Sequence, residues 1–281
     1  MITKLSIGTA QFGMNYGINN SIGKIPEKEI IQILIKCKTF GINKIDTAGL
    51  YGNAEEILGD IITREFNSTD FKITTKCKWA NGKNLNILVN ESLNKLKVDT
   101  IHCLLFHSFQ DYLKFSLDSK NQFVRRYGVS LHSNEELLKT IENPWIETIQ
   151  VPFNLLDNQL RRGQILNYVK SKGIEVQIRS TFLQGLFFRD FNKLPKHLRE
   201  FLPYLKQVHS ISKKYDYSIQ ELALGYVLSK EYIDTVIIGV DSLAQLTTNL
   251  NSSLINISEE AIAELDNINF KNHSLLNPAN W

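Results

Sequence analysis

Asp46, Tyr51, Lys76 and His107 are the residues of this chain whose types and spacing most directly imply chemistry. Three of them lie at or just beyond the ends of short apolar runs: Lys44-Ile45-Asp46-Thr47, Phe71-Lys72-Ile73-Thr74-Thr75-Lys76, and Ile101-His102-Cys103-Leu104-Leu105-Phe106-His107. Tyr51 follows Asp46 by five residues, in the turn that leads into the next helical pattern. A carboxylate, an ammonium and an imidazole at three successive strand ends, with a phenol close by, make up the parts of a proton donor. A phenol with a pKa of about 10 is a sluggish acid at neutral pH, and a nearby ammonium favours its phenolate. Singly, each residue has a common structural role: a turn former, a solvated lysine, a rim aromatic, a satisfied core histidine. Their joint arrangement favours chemistry.

The elements that must position these groups alternate regularly. Strands are expected at Leu5 to Thr9, Lys44 to Thr47, Lys72 to Lys76, Ile101 to Phe106, Tyr127 to Leu131, Thr148 to Val151, Glu175 to Ile178 and Thr235 to Ile238. Helical periodicity covers Glu27 to Phe40, Ala54 to Phe66, Leu85 to Leu96, Asn134 to Ile141, Gln159 to Lys172 and Ile219 to Leu228, with a weaker pattern over Phe109 to Arg126. Pro26 suits a first turn, Ser133 can cap through Glu136, and Gly41 and Gly173 stand where helices should turn back. Eight strands alternating with helices imply a parallel sheet, and the count of eight, with no Gly-x-Gly-x-x-Gly turn after the first strand, favours a closed (β/α)8 TIM barrel of the α/β class. The C-terminal strand ends of such a barrel meet at one mouth, so residues far apart in sequence can converge. A single domain over residues 1–281 is expected, with extra helices in the strand-seven loop (Leu198 to Lys214) and near the C-terminus (Ser258 to Ile268).

Composition narrows the function classes. Hydrophobic residues make up 43 % and charged residues 22 %, which suits a globular chain rather than a disordered one. The net charge of +3 comes without a lysine- or arginine-rich run, so neither nucleic acid nor a membrane surface is expected as a partner. Cys37, Cys77 and Cys103 are scattered and lack metal-ligand spacing, which reads as reduced thiols in a cytoplasmic compartment. No signal-peptide pattern or long apolar run is recognised, no metal site is expected, and no Gly-x-Ser-x-Gly hydrolase elbow occurs.

Asp46-Thr47-Ala48-Gly49-Leu50-Tyr51-Gly52-Asn53-Ala54-Glu55 resembles the Asp-Thr-Ala-x-x-Tyr-Gly-x-x-Glu signature of the aldo-keto reductases, NAD(P)H-dependent barrel enzymes that reduce carbonyls. Further segments resemble the family in the right order on the expected strands: Thr75-Lys76, Leu104-Leu105-Phe106-His107, Gly128-Val129-Ser130, Gln150, and Ile237-Ile238-Gly239 through Gln245 to Asn249. The resemblance implies a catalytic tetrad of Asp46, Tyr51, Lys76 and His107. Tyr51 would be the proton donor, Lys76 its ammonium, Asp46 the carboxylate that orients the lysine, and His107 a donor to the carbonyl oxygen.

It also implies a cofactor, NADPH or NADH, held by Gly8, Thr9, Ala10, Asp46, Ser130, Gln150, Arg179, Ser180, Phe182, Gln184, Gly185, Gly239, Val240, Asp241, Gln245 and Asn249. Three departures stand out. Leu131 replaces an asparagine often found next to the strand-five serine, Arg179 replaces the aromatic that commonly stacks on nicotinamide, and the strand-eight segment has Asp241 and no cation for a 2′-phosphate. His102 and His132 are expected in structural or surface roles. The substrate implied is a small-molecule carbonyl, and the opening Gly8-Thr9-Ala10-Gln11-Phe12-Gly13-Met14-Asn15-Tyr16-Gly17 is similar to a branch associated with bacterial surface-sugar pathways, which points to a sugar or nucleotide-sugar. Pocket walls are expected from Phe12 to Lys24, Phe109 to Phe123, Phe182 to Leu202 and the tail to Trp281. Alternative readings are a cofactor-sensing protein with little turnover and an enzyme working mainly by oxidation or isomerisation.

Overall fold

A computed structural model describes residues 2–18, 20, 22–115 and 120–281. Eight strands, β1 (Leu5–Gly8), β2 (Lys44–Asp46), β3 (Lys72–Cys77), β4 (Cys103–Phe106), β5 (Tyr127–Ser130), β6 (Thr148–Pro152), β7 (Glu175–Arg179) and β8 (Thr235–Gly239), close into one parallel barrel in sequence order. The closing register pairs Gly8 with Asp46 on one side and with Gly239 on the other. These strands are short and mostly buried because each is covered on both faces, by the barrel interior and by the helices outside.

The helices are α1 (Ala10–Gly13), α2 (Glu27–Thr39), α3 (Ala54–Glu65), α4 (Leu85–Leu96), α5 (Phe109–Tyr112), α6 (Asn134–Thr140), α7 (Gln159–Ser171), α8 (Leu202–Tyr215), α9 (Ile219–Leu228), α10 (Leu243–Ser252) and α11 (Glu259–Asp266). In α2, Ile30, Ile33, Leu34 and Cys37 are buried, one stripe at the i, i+3, i+4, i+7 spacing that turns toward a sheet. Ser133 closes a capping box with Glu136 at the start of α6. Gly41 and Gly173, at φ +73° and +77°, make the left-handed turns after α2 and α7.

Two expectations are corrected, and one helix is added. The helical pattern over Phe109 to Arg126 is realised only as α5; residues 116–119 lie outside the described residues, as do 19 and 21 in the expected wall Phe12 to Lys24. The helix expected at Leu198 to Lys214 divides into a 3-10 segment, Lys196–Phe201, and α8, with Pro203 in the first turn where its missing N–H costs nothing. Helix α10 was missed because only Leu243, Leu246 and Leu250 interrupt its polar sequence; the readable signal was Ser242, whose hydroxyl accepts from the Gln245 amide.

A polar column runs through the barrel interior. Lys44 Nζ donates to Thr235 Oγ1 (2.7 Å), Thr235 Oγ1 to Glu175 Oε1 (3.2 Å), and Gln177 Nε2 to the same oxygen (3.3 Å). Gln150 Nε2 then donates to Gln177 Oε1 (3.3 Å) and to Asp46 Oδ1 (2.7 Å), and Asp46 Oδ2 accepts from Lys76 Nζ (2.5 Å). The chain of partners ends at the C-terminal mouth.

Candidate active site

Each strand or the residue just past it lines a cavity of about 730 Å³ at that mouth: Gly8, Asp46, Lys76, His107 just beyond β4, Ser130, Gln150, Arg179 and, from β8, Ile237, Ile238 and Gly239. The volume falls in the range of small-molecule sites. All four residues of the expected tetrad line it. So do the expected cofactor residues, except Val240, whose side chain is fully buried in the core because alternation along the chain turns it away from the cavity that Gly239 and Asp241 face.

Lys76 is the hub. Its buried ammonium donates to Asp46 Oδ2, to the Thr47 carbonyl (3.0 Å) and to the Tyr51 hydroxyl (3.4 Å). Burial alone would lower the lysine pKa, yet Asp46 and Tyr51 together hold it above the ordinary value, so the ammonium is charged at neutral pH. For Tyr51 the balance differs from the expectation. Burial raises the phenol above its usual value and outweighs the lowering by Lys76, so the hydroxyl carries its proton in the free site. The lysine's attraction acts fully only when the phenolate forms.

Backbone contacts fix the tyrosine turn. A Cβ on Gly13 would fall 1.8 Å from the Tyr51 carbonyl oxygen, and one on Gly52, already at φ +58°, 2.3 Å from the Gly13 oxygen. Glu55, in the first turn of α3, accepts from the Thr75 hydroxyl (2.6 Å) next to Lys76, which ties the tyrosine's segment to the lysine's strand. His107 stands edge-on to Tyr51 with ring centroids 6.2 Å apart. Burial, then Lys76 and Arg179, push its pKa down to about 4, so the imidazole is neutral and offers one N–H; its Nδ1 is buried without a hydrogen-bond partner.

His132 was expected in a structural or surface role and instead lines the cavity, where it accepts a hydrogen bond from the Arg179 guanidinium at Nε2 (2.9 Å). Burial, then Arg179 and Arg162, push its pKa down to about 3. His102 lies off the cavity. Gln11, Tyr16, Asn20, Thr181, Phe188, Gln220 and Asn277 to Ala279 also line the wall and were not singled out by the sequence reading. Of these, Tyr16, Asn20 and Phe188 lie within expected wall loops, as do the tail residues.

The two depressed histidines carry a stability consequence. Each binds fewer protons folded than unfolded when the pH is below the ordinary 6.5 and above its folded value, so stability is complete above about 6.5 and falls as the pH drops toward 4 and 3. Urea midpoints are expected to decline between pH 7 and pH 5, before most carboxylates titrate. A midpoint unchanged over that interval would contradict the burial of both rings.

Residues 4–269 match the model of the aldo/keto reductase family. The chain belongs to that family. This aldo/keto reductase is 23 % identical to an L-galactose dehydrogenase of Arabidopsis thaliana, over 95 % of this chain and 92 % of that protein. It is 22 % identical to an NADH-specific methylglyoxal reductase of Escherichia coli K12, over 92 % of each. A solved aldo-keto reductase from Bacillus halodurans in its holo form shares the fold with a TM-score of 0.74 at 20 % identity, covering 96 % of this chain and 94 % of that one. As a family member it is an NAD(P)H-dependent oxidoreductase, and carbonyl reduction is its general chemistry.

The lining of the cavity suits a nicotinamide dinucleotide. Gln150 Oε1 and Asn249 Nδ2 are among the buried polar atoms of cavity-lining residues that lack partners within the protein, as expected where a ligand supplies them. The residues fit. Among the described residues no group of three or more histidine, cysteine or acidic side chains could hold a metal ion, and no helix is long and apolar enough to cross a membrane.

Proposed function

We propose that this protein reduces a small aldehyde, ketone or sugar-like carbonyl with NADH, and that Tyr51 gives the proton. The observation that carries this is the placement of one buried ammonium against both a carboxylate and a phenol, Lys76 to Asp46 at 2.5 Å and to Tyr51 at 3.4 Å, in a cavity walled by all eight strands. Reduced nicotinamide, when bound, supplies hydride to the carbonyl carbon. As charge develops on the carbonyl oxygen, the neutral Tyr51 hydroxyl transfers its proton there, and the resulting phenolate is held by Lys76. Neutral His107 donates its N–H to the same oxygen and fixes its direction. Asp46 keeps Lys76 charged and oriented, and Gln150 holds Asp46 from the other side. Ser130, the free Gln150 oxygen and the Ser180-to-Gly185 loop are the contacts assigned to the nicotinamide and diphosphate. A cytoplasmic location and one domain over residues 1–281 complete the reading, supported by three free, buried cysteines and one closed barrel.

The choice of NADH rests on charge. Lys76 and Arg179 are the cavity's lysine and arginine among the described residues, and both stand at strand ends remote in sequence from the α10 terminus, where Asp241, Gln245 and Asn249 offer no cation to a 2′-phosphate. Burial raises the Asp241 carboxyl above the usual carboxylate range, opposed by hydrogen bonds from Gln11 and Gln245. The test is cofactor binding followed by fluorescence, then turnover of a carbonyl panel with the tighter cofactor. NADH is expected to bind as well as NADPH or better, and Asp241→Arg to move the ratio toward NADPH by about tenfold or more, the scale of a charge-assisted phosphate contact. A strong preference of the unaltered protein for NADPH would remove the assignment. Failure of every carbonyl in the panel would remove the reductase reading.

A further inference from the structure

The cavity holds a positive charge that the mechanism above does not use. Lys76 is neutralised by Asp46. Behind the wall, Arg162 grips Asp157 through Nε (2.7 Å) and a terminal nitrogen (2.9 Å), and Arg161 reaches the same carboxylate (2.7 Å). Arg179, at the end of β7, has no carboxylate within ion-pair distance among the described residues. Its guanidinium donates to the Leu131 carbonyl (3.3 Å), to His132 Nε2 (2.9 Å) and, at the limit of hydrogen bonding, to Ser180 Oγ (3.5 Å).

These neighbours orient the guanidinium without cancelling its charge. An arginine has only donors, so His132 must accept, and a neutral imidazole can. The carbonyl of His132 in turn accepts from Arg162 (2.6 Å), so the Arg162–Asp157 pair braces the residue that braces Arg179. The acidic and phenolic groups that act on Arg179 are Tyr16, Tyr51 and Asp46, those of the proton-donor side, rather than Asp241 at the strand-eight end. A half-buried cation with donors to spare, beside the reacting end of a cavity, is poised for an anion, and a planar guanidinium matches carboxylate or phosphate geometry.

We propose that Arg179, positioned by His132, binds an anionic group, a carboxylate or a phosphate, on the carbonyl substrate. This rests on the carbonyl-reductase reading of the same cavity. It sets the substrate class as a carbonyl compound that carries its own negative charge, such as an oxo acid or a sugar phosphate.

The experiment uses pairs of aldehydes that differ by the anion: 4-oxobutanoate against butanal, and glyceraldehyde 3-phosphate against glyceraldehyde, at saturating NADH and low ionic strength. For at least one pair kcat/KM is expected to favour the anion by about tenfold or more, the scale of a charge-assisted contact. That ratio should shrink with added salt, collapse toward one in Arg179→Gln and survive in part in Arg179→Lys. The ratio is the reading, because the substitution is free to change the absolute rate. The pair that shows the preference tells carboxylate from phosphate. Ratios near one for both pairs in the unaltered protein overturn the proposal. So does an Arg179→Gln variant that keeps the ratio while losing NADH affinity, which would assign the guanidinium to the cofactor.

Calorimetric titration of succinate and of glycerol 3-phosphate, neither of them reducible, reads the anion site without turnover. Binding to the unaltered protein that weakens about tenfold in Arg179→Gln supports the site even if no aldehyde is reduced. Turnover of neutral aldehydes with no binding of either anion leaves the reductase reading standing and removes this one.

Discussion

Tyr51→Phe is expected to cut kcat for carbonyl reduction by ~10²–10⁴ while NADH affinity stays within about twofold, because the change deletes one oxygen and the proton it delivers. Burial keeps the phenol protonated, so under the proposed role the proton is in place before substrate arrives, and Lys76 stands 3.4 Å from the phenol oxygen. The ring itself packs against the core and keeps that role as phenylalanine. The loss should therefore fall on kcat with little change in folding. Single-turnover rates measured with NADH already bound isolate the step. A variant that retains more than half the activity would falsify Tyr51 as the donor.

Lys76→Met should be disabling in two separable ways. Without the ammonium the phenolate left by proton transfer loses its partner, and a fall in kcat of the order of 10²-fold or more is expected. The Asp46 carboxylate is also stranded in the barrel with only Gln150 to donate to it, and breaking a buried pair from one side costs about 3–5 kcal/mol. Adding Asp46→Asn removes the stranded charge. The double variant is expected to recover much of the denaturant midpoint and none of the turnover. Recovery of activity in the double variant would show that Lys76 serves folding rather than proton transfer.

The barrel is legible because short β-like runs alternate regularly with helical periodicity: every expected strand is found, with ends displaced by one or two residues. The cluster of Asp46, Tyr51, Lys76 and His107 is legible for a related reason: Asp46, Lys76 and His107 sit at or just beyond strand ends, parallel strands end together, and Tyr51 lies in the turn that follows Asp46. What escaped the sequence was set by tertiary contacts without a local pattern. His132 looks like any polar residue before a helix, and only the fold brings Arg179 against it. Gln220 reaches the wall from the first turn of α9, so it carries no strand-end signature. Gly13 has ordinary helical geometry, and the need for glycine there comes from Tyr51, a different segment of chain. The phenol's acidity could not be read either, since its sign is a contest between burial and one ammonium.

The polar column bears on how the barrel finds its register. In a barrel filled by valine, isoleucine and leucine, a strand that slides by two residues meets another methyl surface of similar size, and the error costs little. Here a slip of β2, β3, β6 or β7 would take Asp46 from Lys76, or Gln150 from Gln177, and leave donors and acceptors facing hydrocarbon. Mis-registered closures are therefore penalised by unpaired charge at the same positions where the acid–base pair is built. A chain whose Lys76 and Asp46 have met has already passed its own proofreading step.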